Sequence, residues 1–280
     1  MNRRTFICSL ATGVAGALLP HSADAAIKIF RQGRKGVRMD AHVRDYLAKI
    51  EHFDEPHPND LYLDEKRMPL LKSTLNRLDR VQRTVGHGFF SLISIDRAIH
   101  IASSYPSIGA FTREEMDFLE MLFYKDGALY GFLGEKPLYK FTDTIPTHEA
   151  IKIPGTGNYL FKGRSAELYQ TIRKSIGPDL ILTSGIRSVT KQFMLFLNKA
   201  AKCNGNLSMA SRSLAPPGYS YHAVGDFDVG QVGFGKGNFS KRFTETRVFR
   251  DLVESGYATL RYTRTNNLGV RFEPWHIKVA

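Results

Sequence analysis

Between residues 39 and 132 apolar side chains recur every three or four positions, the period of a helix with one buried face. Val43, Tyr46, Leu47 and Ile50 fall on one such face. Leu70, Leu71, Leu75, Leu78 and Val81 form a second, with Lys72, Arg77, Asp79 and Arg80 opposite. A third helix is predicted from Phe89 to Ile101. A fourth begins at Thr112, where Thr112-Arg113-Glu114-Glu115 has the form of a capping box. There the hydroxyl accepts from an early backbone N–H and the glutamate reaches back to the cap. Met116, Leu119, Leu122 and Phe123 then face inward, a stripe that reads as core.

The pattern changes after residue 132. Residues 133–160 hold Pro137, Pro146, Pro154, Gly134, Gly155 and Gly157 and read as connecting loops. Beyond 160 the two periods mix. Helices are predicted from Ser165 to Ser175 and from Val189 to Lys202, the latter with Phe193, Phe196, Leu197 and Ala200 as its apolar side. Strands are predicted at Asp179–Thr183, Asp226–Val229, Ala258–Tyr262 and Val270–Phe272. This alternation is too irregular for a doubly wound sheet. It predicts an α+β protein: a mostly helical region over 26–145, then an antiparallel-sheet domain over 146–280.

Residues 1–25 stand apart. A double arginine, Arg3-Arg4, precedes an apolar stretch from Cys8 to Pro20, and Ala23-Asp24-Ala25 offers a small-x-small cleavage site. These are the three parts of an export signal. Arg3-Arg4-Thr5-Phe6-Ile7 resembles a twin-arginine signal; a general secretion signal is the other reading, and both lead to a periplasmic or secreted protein. Cys8 lies too early in the apolar run for a lipoprotein. No later run is long and apolar enough for a transmembrane helix in the mature chain.

Removing the signal lowers the formal charge from +12 to +11 and leaves Cys203 as the sole cysteine, so no internal disulfide is expected. The positive surplus favours anionic polymers at low salt. Export argues against nucleic acid and toward an anionic wall or membrane surface, although charge of this size also serves solubility alone.

Three stretches of the second domain hold candidate chemistry. They are Thr183-Ser184-Gly185-Ile186-Arg187-Ser188, the segment from Pro217 to Asp228, and Glu273-Pro274-Trp275-His276. A catalytic zinc takes three protein ligands and leaves a fourth position to water. His222, Asp228 and His276 supply two imidazoles and a carboxylate. Zinc makes hydroxide available near neutral pH, and a nearby carboxylate must then carry the proton. Glu273, three residues before His276, suits that task. Arg187 offers a guanidinium for a substrate carboxylate or a developing oxyanion. Each piece alone has a plainer explanation: a core histidine, a turn, a packed indole. Their joint presence in this order favours the metal site. Gly233-Phe234-Gly235-Lys236-Gly237 and Pro154-Gly155-Thr156-Gly157 lack the Ser or Thr of a phosphate loop and read as turns. Ser220 lacks the elbow of a serine nucleophile.

The three stretches together resemble the VanY-type D-alanyl-D-alanine carboxypeptidases, zinc peptidases of peptidoglycan. The family pattern is Ser-Gly-Tyr-Arg-Ser with a glutamine four residues on, then Ser-x-His-x-x-Gly-x-Ala-x-Asp, then Glu-Pro-Trp-His. Here these are Ser184 to Ser188 with Gln192, Ser220 to Gly225 running into Asp226-Phe227-Asp228, and Glu273 to His276. The resemblance covers residues 160–280 and implies one Zn2+ per chain on His222, an aspartate and His276. It implies Glu273 as general base, Arg187 as catalytic and substrate arginine, and Ser220 and Gln192 as substrate-binding groups. The family aspartate falls at Val229, so one residue is deleted after Gly225 and Asp228 is the favoured ligand; a register slip would present Asp226 instead. Ile186 replaces the family tyrosine and an acidic residue its alanine, which bears on substrate choice.

The resemblance implies a zinc-dependent carboxypeptidase that removes a terminal D-alanine from peptidoglycan stem peptides. The rivals are a cross-link endopeptidase and an inactive zinc-bearing wall-binding or regulatory module.

Overall fold

In the order of the chain, the helical half is built on α1 (Ala41–Glu51), α2 (Met68–Val85), α3 (His87–Phe90), α4 (Ile95–Ser104) and α5 (Arg113–Tyr124). The computed structural model describes residues 41–280 apart from Ala258. The export-signal reading of residues 1–25 therefore lies outside the described residues. Residues 45–280 form one compact unit.

Helix α2 buries Leu71, Leu78 and Val81, as its period predicts. The capping box of α5 is present in full: Glu115 N–H donates to Thr112 Oγ1 at 3.2 Å, and Thr112 N–H donates to a Glu115 carboxylate oxygen at 3.0 Å. The single helix expected from Phe89 to Ile101 is instead two. The first ends at Phe90, and Ser94 starts α4, where its hydroxyl accepts from Arg97 N–H as the cap.

The second half contains a hairpin of β1 (Ala150–Lys152) and β2 (Tyr159–Phe161), then α6 (Arg164–Ile176), β3 (Leu180–Ser184), α7 (Val189–Lys202), α8 (Leu207–Ser211), β4 (Phe227–Gln231), α9 (Arg247–Ser255) and β5 (His276–Ile277). The α+β class is as the sequence predicts. Strands β3, β4 and β5 form an antiparallel sheet in that order. Corrections fall on the short elements. β1 and β2 lie inside the stretch expected to be loop. Val270–Phe272 is not a strand, and among the described residues of the stretch expected at 258–262 only Leu260 bridges the sheet, opposite Ile277. The third strand of the sheet starts at His276, the last residue of the terminal motif.

One hydrophobic core joins helices of both halves. Phe193, Phe196, Leu197 and Ala200 of α7 pack in the same cluster as Leu71, Leu78 and Val81 of α2 and Leu119, Leu122 and Phe123 of α5. Each large side chain buried there contributes about 1.5–3 kcal/mol. A second cluster lies under the sheet, with Phe227, Val229, Leu180, Leu182 and Trp275 against α6 and α9. Helix α7 is thus fixed from below by the helical core while its N-terminal end stands beside the sheet. Among the described residues no helix is long and apolar enough to cross a membrane.

Candidate metal centre

Strand β4 alternates Phe227 and Val229 into the core with Asp226 and Asp228 on the opposite face. Asp228 is paired in register with Ser184 of β3 on one side and His276 of β5 on the other. Cross-strand pairing therefore brings the His276 ring to Asp228. His222 arrives from a single 3-10 turn, Tyr221–Ala223, just before β4. Two contacts lace that turn to the loop after β3: Arg187 N–H donates to the His222 carbonyl at 3.3 Å, and His222 Nδ1 lies 2.8 Å from the Gly185 carbonyl. A carbonyl only accepts, so Nδ1 carries the hydrogen and Nε2 presents a lone pair.

Gly185 is a glycine because nothing else fits. A Cβ there would lie 1.9 Å from the Tyr159 carbonyl oxygen. Gly225, between His222 and Asp228, has φ of 135°, and its carbonyl accepts from the Ser165 hydroxyl at 2.8 Å.

His222, Asp228 and His276 each offer a ligand atom, all buried and within 4.8 Å of one another. His222 Nε2 and Asp228 Oδ1 are 3.3 Å apart, and neither has a hydrogen-bond partner. His276 Nδ1 is also 3.3 Å from Asp228 Oδ1, while its Nε2 is 3.0 Å from Asp226 Oδ2. With Nε2 donating to Asp226, all three inward atoms are lone-pair donors. Three such atoms buried together repel unless a cation lies between them, and two imidazoles with a carboxylate are a donor set for zinc.

The electrostatics agree. Burial, reinforced by Arg187, lowers the pKa of His222 and keeps it neutral. Burial opposes the charge of Asp228, but the Arg187 guanidinium bonded to it outweighs this and holds the carboxyl well below its usual range. Burial alone would lower the pKa of His276; the hydrogen bond to Asp226, with the Glu273 carboxylate close by, instead raises it to about 9. The pocket attracts a cation in either form, proton or metal.

Asp226 is fully occupied elsewhere. Its carboxylate accepts from His276, from Arg261, and from the backbone N–H groups of Val279 and Ala280. It therefore orients His276 and leaves the inward position to Asp228. Val229, at the family spacing, points into the core on the other face.

Glu273 lies beside the cluster, its Oε2 3.6 Å from His276 Nδ1. Its N–H donates to the Tyr262 carbonyl at 3.0 Å. Arg187 is fixed at both ends, with Nε on Ser184 Oγ at 2.9 Å and Nη2 on Asp228 Oδ2 at 2.5 Å. All five residues, with Ser220, line a single cleft of about 630 Å3. Gln192 does not line it. Its amide donates to the Ala215 carbonyl at 2.5 Å, so it acts on the cleft only through the wall segment that contains Ala215.

Residues 162–279 match the VanY family model, described as D-alanyl-D-alanine carboxypeptidase. This segment is a VanY domain. Solved structures with similarity include the LdcB LD-carboxypeptidase, at 22% identity and TM-score 0.38, over 46% of this chain and 63% of that one. Others are a mutant vancomycin-resistance D,D-pentapeptidase VanY in complex with Zn(II), at 23% and 0.41, and VanYB in complex with D-alanine-D-alanine, at 25% and 0.41. Each of these two is covered to 85% by 53% of this chain. Comparison with curated proteins finds no match.

Two departures of this VanY domain from its family pattern have a structural reading. Ile186 does not face the cleft: it is buried with Leu92 and Ile145, at the contact with the helical half. The acidic residue in place of alanine is Asp226, the partner of His276 Nε2.

Several cleft residues had not been singled out from the sequence. Tyr262 is buried with its ring 4.9 Å from that of His276. The Arg271 guanidinium lies between Phe53 and Trp275, 4.7 and 4.9 Å from their rings, with Nε 3.8 Å from Glu273 Oε1. The unique tryptophan thus serves as one plate of an arginine clamp. Strand-like i, i+2 spacing from Arg271 to Glu273 is the one signal that could have found it. His87, Lys191 and Lys199 also line the cleft. His87 comes from the helical half, and no local pattern links it to the VanY motifs.

Proposed function

We propose that the protein is a zinc-dependent carboxypeptidase that releases the terminal D-alanine of peptidoglycan stem peptides, acting outside the cytoplasmic membrane. The observation that carries this reading is the convergence of three buried, lone-pair-bearing atoms on His222, Asp228 and His276 with the Glu273 carboxylate beside them, in a domain of the VanY family.

His222, Asp228 and His276 would hold the ion. When bound, zinc supplies a Lewis acid and an acidified water. Glu273 takes the proton from the attacking water and delivers it to the departing amine, so one carboxylate serves as base and then acid. Its position is set by its backbone bond to Tyr262 and by the Arg271 charge 3.8 Å away. Arg187 presents its guanidinium to the cleft and meets the substrate carboxylate or the oxyanion that grows on attack. Its two anchors fix it in place before substrate arrives, which spares the ordering cost. Ser220, buried at the cleft wall before His222, offers a hydroxyl to the bound peptide.

The test is D-alanine release from a pentapeptide ending in D-Ala-D-Ala, by wild type and Glu273→Gln, with zinc content measured in both. Removing a general acid–base is worth about 10^2 to 10^4 in rate. Glu273→Gln should keep its zinc and lose at least a hundred-fold in turnover. Full activity in that variant would exclude the assigned role. Cross-linked muropeptide dimers in the same assay separate this activity from an endopeptidase.

A further inference from the structure

One face of α7 forms a wall of the cleft. Lys191, Leu195 and Lys199 are spaced four residues apart and all line it, following Arg187 just before the helix. At 1.5 Å of rise per residue, Lys191 and Lys199 stand about 12 Å apart along the wall. The row starts four residues after Arg187, whose guanidinium bonds to Asp228.

These lysines lack the partners that surface lysines usually find. The Lys191 ammonium bonds to a neutral atom, Gln82 Oε1 at 2.7 Å, and stands over the Phe90 ring. Gln82 is itself buried. Among the described residues neither lysine forms an ion pair, whereas Arg187, Arg212 and Arg261 all do. Burial, with the repulsion of Arg187, pushes the Lys191 ammonium down to about 8. Four basic side chains line the cleft, Arg187, Lys191, Lys199 and Arg271, against two carboxylates, Asp228 and Glu273. Holding an ammonium part-buried beside another cation is unfavourable unless an anion is to meet it.

We infer that the Lys191–Lys199 face of α7 recognises a free carboxylate on the substrate peptide, upstream of the bond that is cut. The inference rests on the peptidase reading and names the substrate class for it: a peptide acidic on its non-leaving side. Three residues of extended peptide reach about 10 Å. A carboxylate two or three residues before the scissile bond therefore falls along the lysine row. The device also gives the helical half a task, since Gln82 of α2 and Phe90 of α3 set the position of Lys191.

The experiment uses zinc-loaded Glu273→Gln full-length protein, so that the probe survives. Binding is measured by calorimetry for L-Ala-γ-D-Glu-L-Lys-D-Ala-D-Ala with the glutamate α-carboxylate free or amidated. A charged hydrogen bond of this kind is worth roughly ten-fold or more in affinity. The free acid should bind about ten-fold more tightly than the amide. Adding Lys191→Gln and Lys199→Gln together should bring the ratio to about one, while the arginine pair keeps it. Lys199→Gln alone, at a half-exposed position, should lower the ratio about three-fold. A ratio near one in the parent protein, or a ratio that survives the double glutamine change, overturns the inference. If the ratio behaves as expected but wild type releases no D-alanine, the carboxypeptidase reading fails and the carboxylate site stands.

Discussion

Asp226 accepts the Nε2 hydrogen of His276 at 3.0 Å, and this turns Nδ1 of the same ring toward Asp228 Oδ1 at 3.3 Å. Two carboxylates two residues apart thus take opposite edges of one imidazole. A carboxylate behind a ligating histidine fixes its tautomer and raises its basicity, and losing it costs about 10- to 100-fold in metal affinity. Asp226→Ala should weaken zinc binding by that amount, measured by competition with a chromophoric chelator. Asp228→Ala should abolish stoichiometric zinc. Equal losses in the two variants would mean that both carboxylates bind the ion, and a larger loss in Asp226→Ala would make Asp226 the ligand.

Metal removal should show in stability as well. The three inward atoms repel one another when nothing lies between them, so the folded state gains from a bound cation that the unfolded chain cannot hold. At a free zinc concentration 100-fold above Kd the gain is about 2.7 kcal/mol. For a chain of this size that corresponds to a fall in Tm of about 5–10 °C on chelation, reversed by added zinc. His222→Ala should melt at one temperature with or without chelator. A wild-type Tm indifferent to chelator would speak against an ion at this site.

A second prediction about stability concerns Asp60 and Arg212, which lie away from the metal. Arg212 donates to both Asp60 oxygens, at 2.7 and 2.9 Å, and to the carbonyls of Phe53 and Glu55. Burial opposes the Asp60 charge, but hydrogen bonds from Arg212, Asn206 and His57 hold its pKa down at about 2. The folded pKa is depressed, so the stabilisation is present above the unfolded value of about 4 and is lost as pH falls through 2. The two pKa values imply about 2 kcal/mol. Asp60→Asn should cost about 3–5 kcal/mol at pH 7, since it strands a buried guanidinium. In urea unfolding the gap between the two proteins should narrow by about 2 kcal/mol from pH 5 to pH 2. A gap independent of pH would refute the assignment.

Much of this arrangement was legible in the sequence, for reasons that differ by element. Helices α2, α5, α6 and α7 repeat an apolar face over three turns or more, and Thr112 with Glu115 announces the start of α5. The break at Ser94 was not legible, because apolar residues continue through it and only the cap decides. Strands β1, β2 and β5 have two or three residues each; their partners define them, not their own pattern. The candidate metal cluster was readable because His222, Glu273 and His276 sit in motifs of fixed spacing; Asp228 lies one residue short of its place in the second motif, and the sequence left Asp226 open beside it. Lys191, Tyr262 and His87 meet the site from separate segments, and only the folded chain shows that. Ile186 illustrates the converse. Its departure from the family pattern suggested a change of substrate, yet it faces the helical half.

Gly185 tests how tightly the metal centre depends on its surroundings. Its carbonyl accepts from His222 Nδ1, and the next N–H, of Ile186, donates to the Tyr159 carbonyl at 2.8 Å. That same Tyr159 oxygen is what a new Cβ would meet, at 1.9 Å, a separation no real pair of atoms keeps. Backbone, not a flexible side chain, is the obstacle, so β2 and the loop after β3 must move apart. Gly185→Ala should therefore cost more than about 2 kcal/mol in folding, the range of severe packing errors. It should also tilt His222 away from Asp228 and weaken zinc binding. Denaturant midpoints taken in chelator isolate the folding loss, and zinc titration of the folded fraction isolates the metal loss. Wild-type values in both would mean that the Tyr159 carbonyl does not press on this glycine and that His222 is held by something else.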